Sequence, residues 1–249
     1  LAASIFLSVS FASKTILSNG DNYYQQANWR DAELYYNYGA RQEDIDYFAS
    51  LDGISASEGE YTVTCMLSVE ETAVDVDVLS LTHTLNTPIL LEGALPSSDD
   101  ECLIEQSIAD ENSIHIGDRI VLTNRDGETP DELIYDEYTV TGIMYHPNNL
   151  CVALYTNDNP CIVIPLGGFD EDKRHGLFTS ILLSFDCTEG MSRFDPDYLE
   201  AVRNMETELA PLIEERGGII YSSLQSEYND MIGTYQVELN NSLETLNNA

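Results

Sequence analysis

Between Leu91 and Met144 the sequence is cut into short pieces by turn signals, and this spacing limits the fold more than anything else in the chain. Gly93 and Pro96 turn the chain, and Ser97–Asp100 form a polar loop. Cys102–Ile104 reads as a short strand, and Ser107 is placed to cap a brief helical turn around Ile108–Asn112. Gly117-Asp118 gives a second turn into a strand at Arg119–Thr123. A polar insertion covers Asn124–Glu132, and Tyr138–Ile143 then alternates as a further strand. The sum is a small β-rich module, which spacing alone does not connect to a function.

Around this module the periodicity changes. Leu1, Ile5, Val9, Ala12 and Ile16 recur at helical spacing, so residues 1–17 are expected to be a helix with one apolar stripe, ended by Asn19-Gly20-Asp21. The run is shorter than a membrane span, which needs about 20 apolar residues. It reads as a membrane-proximal stalk or as the tail of a spanning helix. Glu33–Tyr38 is β-prone and Arg41–Leu51 helical, with Ile45 and Phe48 inward. Glu60–Val69 and Ala73–Leu81 are strands, the second with Val74, Val76 and Val78 against Asp75 and Asp77. Cys161–Pro165 and Thr179–Phe185 are strands. Pro196–Arg216 is a helix with Pro at its first turn and Gly217-Gly218 as its stop. Ile219–Ser222 is expected as a strand. Leu224, Tyr228, Met231, Tyr235, Leu239, Leu243 and Leu246 mark a last amphipathic helix, expected to pair antiparallel with residues 1–18.

The chain has 249 residues and 43% hydrophobic content, enough for one or two cores. Its formal net charge is −34, with Lys14 and Lys173 the only lysines. Such a surface repels phosphates and anionic headgroups, so no nucleic-acid partner is expected. It suits a domain outside the cell, in contact with cations or cationic peptides; the simpler reading is that acidity maintains solubility. The five cysteines, Cys65, Cys102, Cys151, Cys161 and Cys187, form no C-x-x-C pair. Cys151 and Cys161 could bridge a hairpin; the simpler reading makes all five small buried hydrophobes.

No catalytic, cofactor-binding or metal-ligating residue is assigned. The sequence holds no H-E-x-x-H, G-x-S-x-G or Walker A pattern, so it is read as a non-enzyme without a cofactor. His83, His115, His146 and His175 lack metal-ligand spacing. Asp75 and Asp77 could hold a cation but read more simply as a wet strand face. Asn157-Asp158-Asn159, and Asn124–Asp126 with Glu128, Asp131 and Glu132, are oxygen-rich loops without EF-hand spacing. Tyr23, Tyr24, Trp29, Tyr35, Tyr36 and Tyr38 suit protein or glycan contacts, or else packing beside the first strand and over the stalk junction.

The wording of residues 91–143 adds what spacing does not. Gly93 and Pro96, then Glu101, Ile104, Ile108 and Ala109, then Ile116, Gly117, Asp118, Ile120 and Leu122, and finally Tyr138, Val140, Gly142 and Ile143 stand in a fixed order. The pattern resembles the extracytoplasmic, MacB-like periplasmic core domain of FtsX-like ABC transporter permeases. The resemblance implies an α+β fold: a discontinuous, porter-like α/β subdomain with an inserted β-rich subdomain, flanked by N- and C-terminal stalk helices. The corresponding division is residues 1–19 (membrane-proximal helix), 20–88 with 160–223 (α+β subdomain), 89–159 (insert) and 224–249 (stalk helix). It further implies a bacterial protein at the cell membrane, with this domain on the extracytoplasmic side and dimeric in the intact transporter. The domain would relay ATP-driven motion of the membrane helices to substrate or partner. Its partners would be a cytoplasmic ATP-binding subunit or domain and an extracellular protein, lipoprotein or peptide. The parent would have one hydrophobic span before Leu1 and three after Ala249. The alternative reading is an acidic ligand-binding or sensing domain for cationic peptides, marked by a concave acidic groove lined by aromatics.

Overall fold

The structure, a computed structural model, describes residues 19–69, 72–149 and 159–247. The chain is mixed α+β and divides into two compact units, Leu1–Met205 and Glu206–Ala249. The expected helix over residues 1–17 and its pairing with the last helix lie outside the described residues, as does Cys151.

The first described element is helix α1, residues 19–26, so Asn19-Gly20-Asp21 lies within a helix and does not break one. Strand β1 (Ala32–Ala40), helix α2 (Gln42–Ala49) and strand β2 (Ile54–Glu60) follow. The Asp44 carboxylate accepts the Arg41 backbone N–H at 2.7 Å and fixes the start of α2. Ile45 and Phe48 are buried, as the spacing requires. β1 and β2 do not pair with each other. Each pairs antiparallel with β10 (Phe178–Phe185), giving a three-stranded sheet of order β1-β10-β2. Gly59 lets α2 close on this sheet, because a Cβ there would stand 2.5 Å from the Ile45 side chain and 2.6 Å from the Phe178 ring.

A second sheet takes β3 (Thr62–Val69), β4 (Thr72–Ser80), β5 (Ile89–Gly93), β6 (Glu101–Glu105), β7 (Arg119–Thr123), β8 (Glu137–Tyr145) and β9 (Cys161–Ile164). Its order is β5-β8-β6-β9-β4-β3-β7, and β7 returns to pair with β8. Six strands therefore close a ring, with β5 attached outside. Thr139 pairs with Glu101 of β6 and Arg119 of β7, while Gly142 pairs with Leu103 of β6 and Gly93 of β5. β7 and β5 thus share one edge of β8, and no long edge of β8 is left open. Cys65, Leu67, Val76, Val78, Leu122 and Val140 are among the core residues, so the Val/Asp alternation of β4 does mark one buried face.

Several expectations are corrected. β3, β4 and β9 were placed with the α+β part; they belong to the large sheet, because β9 runs parallel to β4 and brings Asp77–Ser80 beside Cys161–Ile164. Ser107 does not cap helix α3 (Gln106–Asn112). Glu105 ends β6 in extended backbone and so takes the cap position itself, and the Ser107 hydroxyl reaches its Oε1 at 3.2 Å. Gly217-Gly218 does not stop a helix, and Ile219–Ser222 is not a strand. Helix α5 is continuous from Pro196 to Asn247. A glycine stop needs a left-handed residue, and neither glycine takes positive φ, so the ladder continues at a cost of about 1 kcal/mol for each. Pro211 also lies within α5. In the second unit, Tyr228, Tyr235 and Leu239 are each more than 60% exposed, so this stretch presents an uncovered apolar stripe. Short α4 (Glu171–Arg174) completes the helices.

Candidate functional site

The polar residues of the 91–143 pattern serve turns. Glu101 accepts the Ser97 N–H at 2.6 Å, the Ser97 hydroxyl at 3.0 Å and the Ser98 N–H at 3.2 Å. The Ser97 N–H bond is the main reason that its carboxyl titrates below the usual range. Asp118 accepts the His115 N–H at 2.8 Å around Gly117, whose φ is +93°. Gly93 has φ +83°, and a Cβ there would lie 2.1 Å from the Thr141 carbonyl oxygen. The pattern therefore encodes tight turns and one close backbone approach.

The sites weighed in the sequence are dispersed. His83 and His115 lie in exposed stretches, His175 sits in left-handed backbone at the end of α4, and His146 is buried. Burial holds the His146 imidazole down near 3, so it is neutral, and its Nδ1 accepts the Asn148 N–H at 3.3 Å. Among the described residues no group of three or more His, Cys, Asp or Glu converges as a metal would require. Asn124 Oδ1 accepts the N–H groups of Asp126 and Glu128, closing its own turn. Asp75 meets Arg125 at 3.6 Å at the surface, whereas Asp77 accepts from Thr64 and Asn159. Cys161 is a free thiol close to Asn149.

Two places do gather functional chemistry. The first is a cluster that ties α1 and the approach to β1 to the segment between β10 and α5. Asp31, just before β1, has a side chain only 1% exposed. It accepts the Phe185 N–H at 2.8 Å, the Thr188 hydroxyl at 2.7 Å and the Tyr198 hydroxyl at 2.7 Å, and stands 3.2 Å from the Arg193 guanidinium. Arg193 donates through Nη1 to Arg30 O and through Nη2 to Trp29 O, and its own N–H reaches Asp21 at 2.9 Å. Tyr24 bridges the rings of Trp29 and Phe194, at 5.2 and 6.3 Å. Gly20 is so close to Phe194 that a Cβ there would lie 2.9 Å from the ring. Burial first, and then the Asp31 bond, push the Tyr198 hydroxyl well above its ordinary value. A cavity of about 650 Å³ opens beside this cluster.

The second is a recess of about 330 Å³ on the other side of Trp29, lined by Trp29, Glu33, Tyr35, Glu60 and Asp77 among others. Its lining also holds Arg30, Asn148, Asn149, Asn159 and Cys161. Arg30 pairs with Glu33, lies 4.5 Å over the Trp29 ring and donates to Asn148 at 2.7 Å. Glu60 is 2% exposed. Burial, with Glu33 nearby, raises its carboxyl to about 8. Sequence reasoning missed Glu60 and Asp31, since two acids among 44 carry no distinguishing signal.

No protein-family model matches the sequence, and no curated protein matches it. Solved structures do. The chain is similar to the extracellular domain of a noncanonic ABC-type transporter, YknZ, from Gram-positive bacteria, at 9% identity and TM-score 0.42, over 72% of this chain and 93% of that one. It is similar to the periplasmic region of MacB from Actinobacillus actinomycetemcomitans at 11% identity and TM-score 0.42, over 72% and 74%. A domain of a Porphyromonas gingivalis protein described as a permease follows at 14% identity and TM-score 0.41, over 70% and 77%.

Proposed function

We propose that this chain is the extracytoplasmic domain of a MacB-like ABC transporter permease. It performs no catalysis itself and relays ATP-driven motion of the membrane helices to a substrate or partner on the outer side. The observation that carries this reading is the contact of Gly20 with Phe194, locked by Asp31, Arg193 and Tyr198. A domain bracketed by membrane spans must leave and re-enter on one side, and the approach of Gly20 in α1 to Phe194 just before α5 supports such an arrangement. Among the described residues no helix is long and apolar enough to cross a membrane. The porter-like part is then β1, α2, β2 and β10 with the start of α5, and the closed sheet is the insert between β2 and β10. A cytoplasmic ATP-binding partner would act through the flanking helices.

The test uses the intact parent transporter with Cys187 replaced. Gly20→Cys and Phe194→Cys are joined by a short bifunctional thiol reagent. Locking the junction should leave ATP hydrolysis running while transport or partner activation is lost. Normal coupling in the fully crosslinked protein, or a parent without spans on both sides of this domain, overturns the reading.

A further inference from the structure

The recess beside Trp29 is short of one hydrogen-bond donor. Glu60 Oε1, buried in its lining, has no hydrogen-bond partner among the described residues. The donors around it are committed elsewhere. Arg30 serves Glu33 and Asn148. Asn149 Nδ2 serves Glu105 Oε2 at 2.7 Å and Asn159 O at 3.1 Å, and Asn159 Nδ2 serves Asp77 Oδ1 at 3.1 Å. The Thr62 N–H donates to the Thr179 hydroxyl, which in turn donates to Glu60 O. A buried acceptor left without a donor is costly, and native structures rarely keep one.

Charge points the same way. Glu33, Asp77 and, once ionised above about pH 8, Glu60 line the recess against one cation, Arg30, which Glu33 already holds. A metal ion would need three or more converging ligands, and among the described residues no such group exists. A guanidinium offers a planar fork suited to two oxygens, and the face of Trp29 is already covered by Arg30. A primary ammonium is a compact charge with three donors and no acceptor, which matches a single free carboxylate oxygen beside Asp77. A volume of about 330 Å³ accommodates an alkyl chain behind it, at the lower end of the usual range for ligand pockets.

We infer that the recess between Trp29, Glu60 and Asp77 binds a primary alkylammonium group, supplied by a free polyamine or by a lysine side chain of a peptide. This does not rest on the permease reading and is decided on the purified chain.

Trp29 is the only tryptophan and lines the recess, so its fluorescence reports occupancy directly. The probe is n-butylammonium chloride, titrated at pH 9, where Glu60 is ionised and the amine still carries its proton, against sodium chloride at equal ionic strength. A saturable change is expected with the amine and not with the salt. Glu60→Gln preserves shape and removes the anionic oxygen, and should weaken binding at least tenfold; Asp77→Asn should weaken it severalfold. Glu92→Gln, on β5 and exposed, should leave it unchanged. Each variant is first checked for a native far-UV spectrum. Spermidine binding more tightly than Ala-Lys-Ala assigns the site to free polyamines, and the reverse order assigns it to peptide side chains. An unsaturable response, equal affinity in Glu60→Gln, or saturation by calcium or magnesium with no response to the amine overturns the inference.

Discussion

Tyr198, in the first turn of α5, gives its hydroxyl proton to Asp31 at 2.7 Å, across 167 positions of sequence. The same carboxylate faces Arg193, so one acid holds the start of the last helix and the approach to the first strand together. Asp31→Ala removes it and leaves Arg193 without its counter-ion in a site only 18% exposed. Breaking one side of such a pair costs about 3 kcal/mol or more. Urea melts should show a loss of this order, with Asp31→Asn milder because the amide oxygen still accepts. A loss under 1 kcal/mol in Asp31→Ala would show that the cluster does not hold the junction.

Glu60 makes stability fall as pH rises. In the unfolded chain its carboxyl ionises near 4.5, whereas the folded protein keeps the proton until about 8. Within that window the unfolded state binds fewer protons, so the penalty is absent below 4.5 and complete above 8. Glu60→Gln should match the native protein at pH 4 and exceed it at pH 8 by roughly 4 kcal/mol. The groups acting on Glu60 are Glu33, Arg30 and Glu58, and their charges are the same in both proteins. Parallel stability curves for the two proteins would exclude a buried neutral Glu60.

His146 has the opposite sign. Its folded value, near 3, lies below the unfolded value of 6.5, so acid drives protons onto the unfolded chain first. Its contribution is complete above pH 6.5 and drains away as pH falls, by about 3 kcal/mol at pH 4. His146→Gln should flatten the acid limb between pH 6.5 and 4. A histidine resonance titrating near 6.5 in the folded protein, assigned to residue 146, would contradict its burial as a neutral ring.

The two glycines paired between β5 and β8 should differ in tolerance. Gly93→Ala meets the Thr141 carbonyl oxygen at 2.1 Å from a backbone of positive φ, so the strand must move and the loss should exceed about 2 kcal/mol. Gly142→Ala meets mainly the side-chain ends of Leu90 and Leu103, at 2.7 and 2.8 Å, which can turn aside, although the Ala94 carbonyl oxygen also lies at 3.0 Å. Thermal melts should rank Gly93→Ala well below Gly142→Ala, and the reverse ranking would refute the assigned geometry.

What the sequence disclosed follows from the range of each interaction. The alternation in Val74–Val78 and the turn glycines at 93 and 117 are local, and the elements they announce are present. β2 was not foreseen, because Ile54–Glu60 is rich in Ser, Gly and Glu and is made a strand by the ladder that β10 offers it. The strand at Ile219–Ser222 failed for the opposite reason: β-branched residues were read locally, while the helix on either side carried them. Asp31 with Arg193, and Glu60 in the lining of its recess, depend on contacts that no neighbouring residue signals.

β1 and β10 are antiparallel, with Ala32 opposite Leu183, so the strand that begins just after Asp31 lies beside the one that ends at Phe185. A pull that separates the two ends of the unit would meet the rungs of this pair one after another, as in unzipping, and would not load them together as in shear. Sequential rungs resist weakly once the first gives way. The carboxylate of Asp31 is therefore a clasp at the open end of a zipper: it sets the force at which separation starts, and little beyond it within the pair raises that force. A load carried along both ends in the same direction would leave the clasp shut.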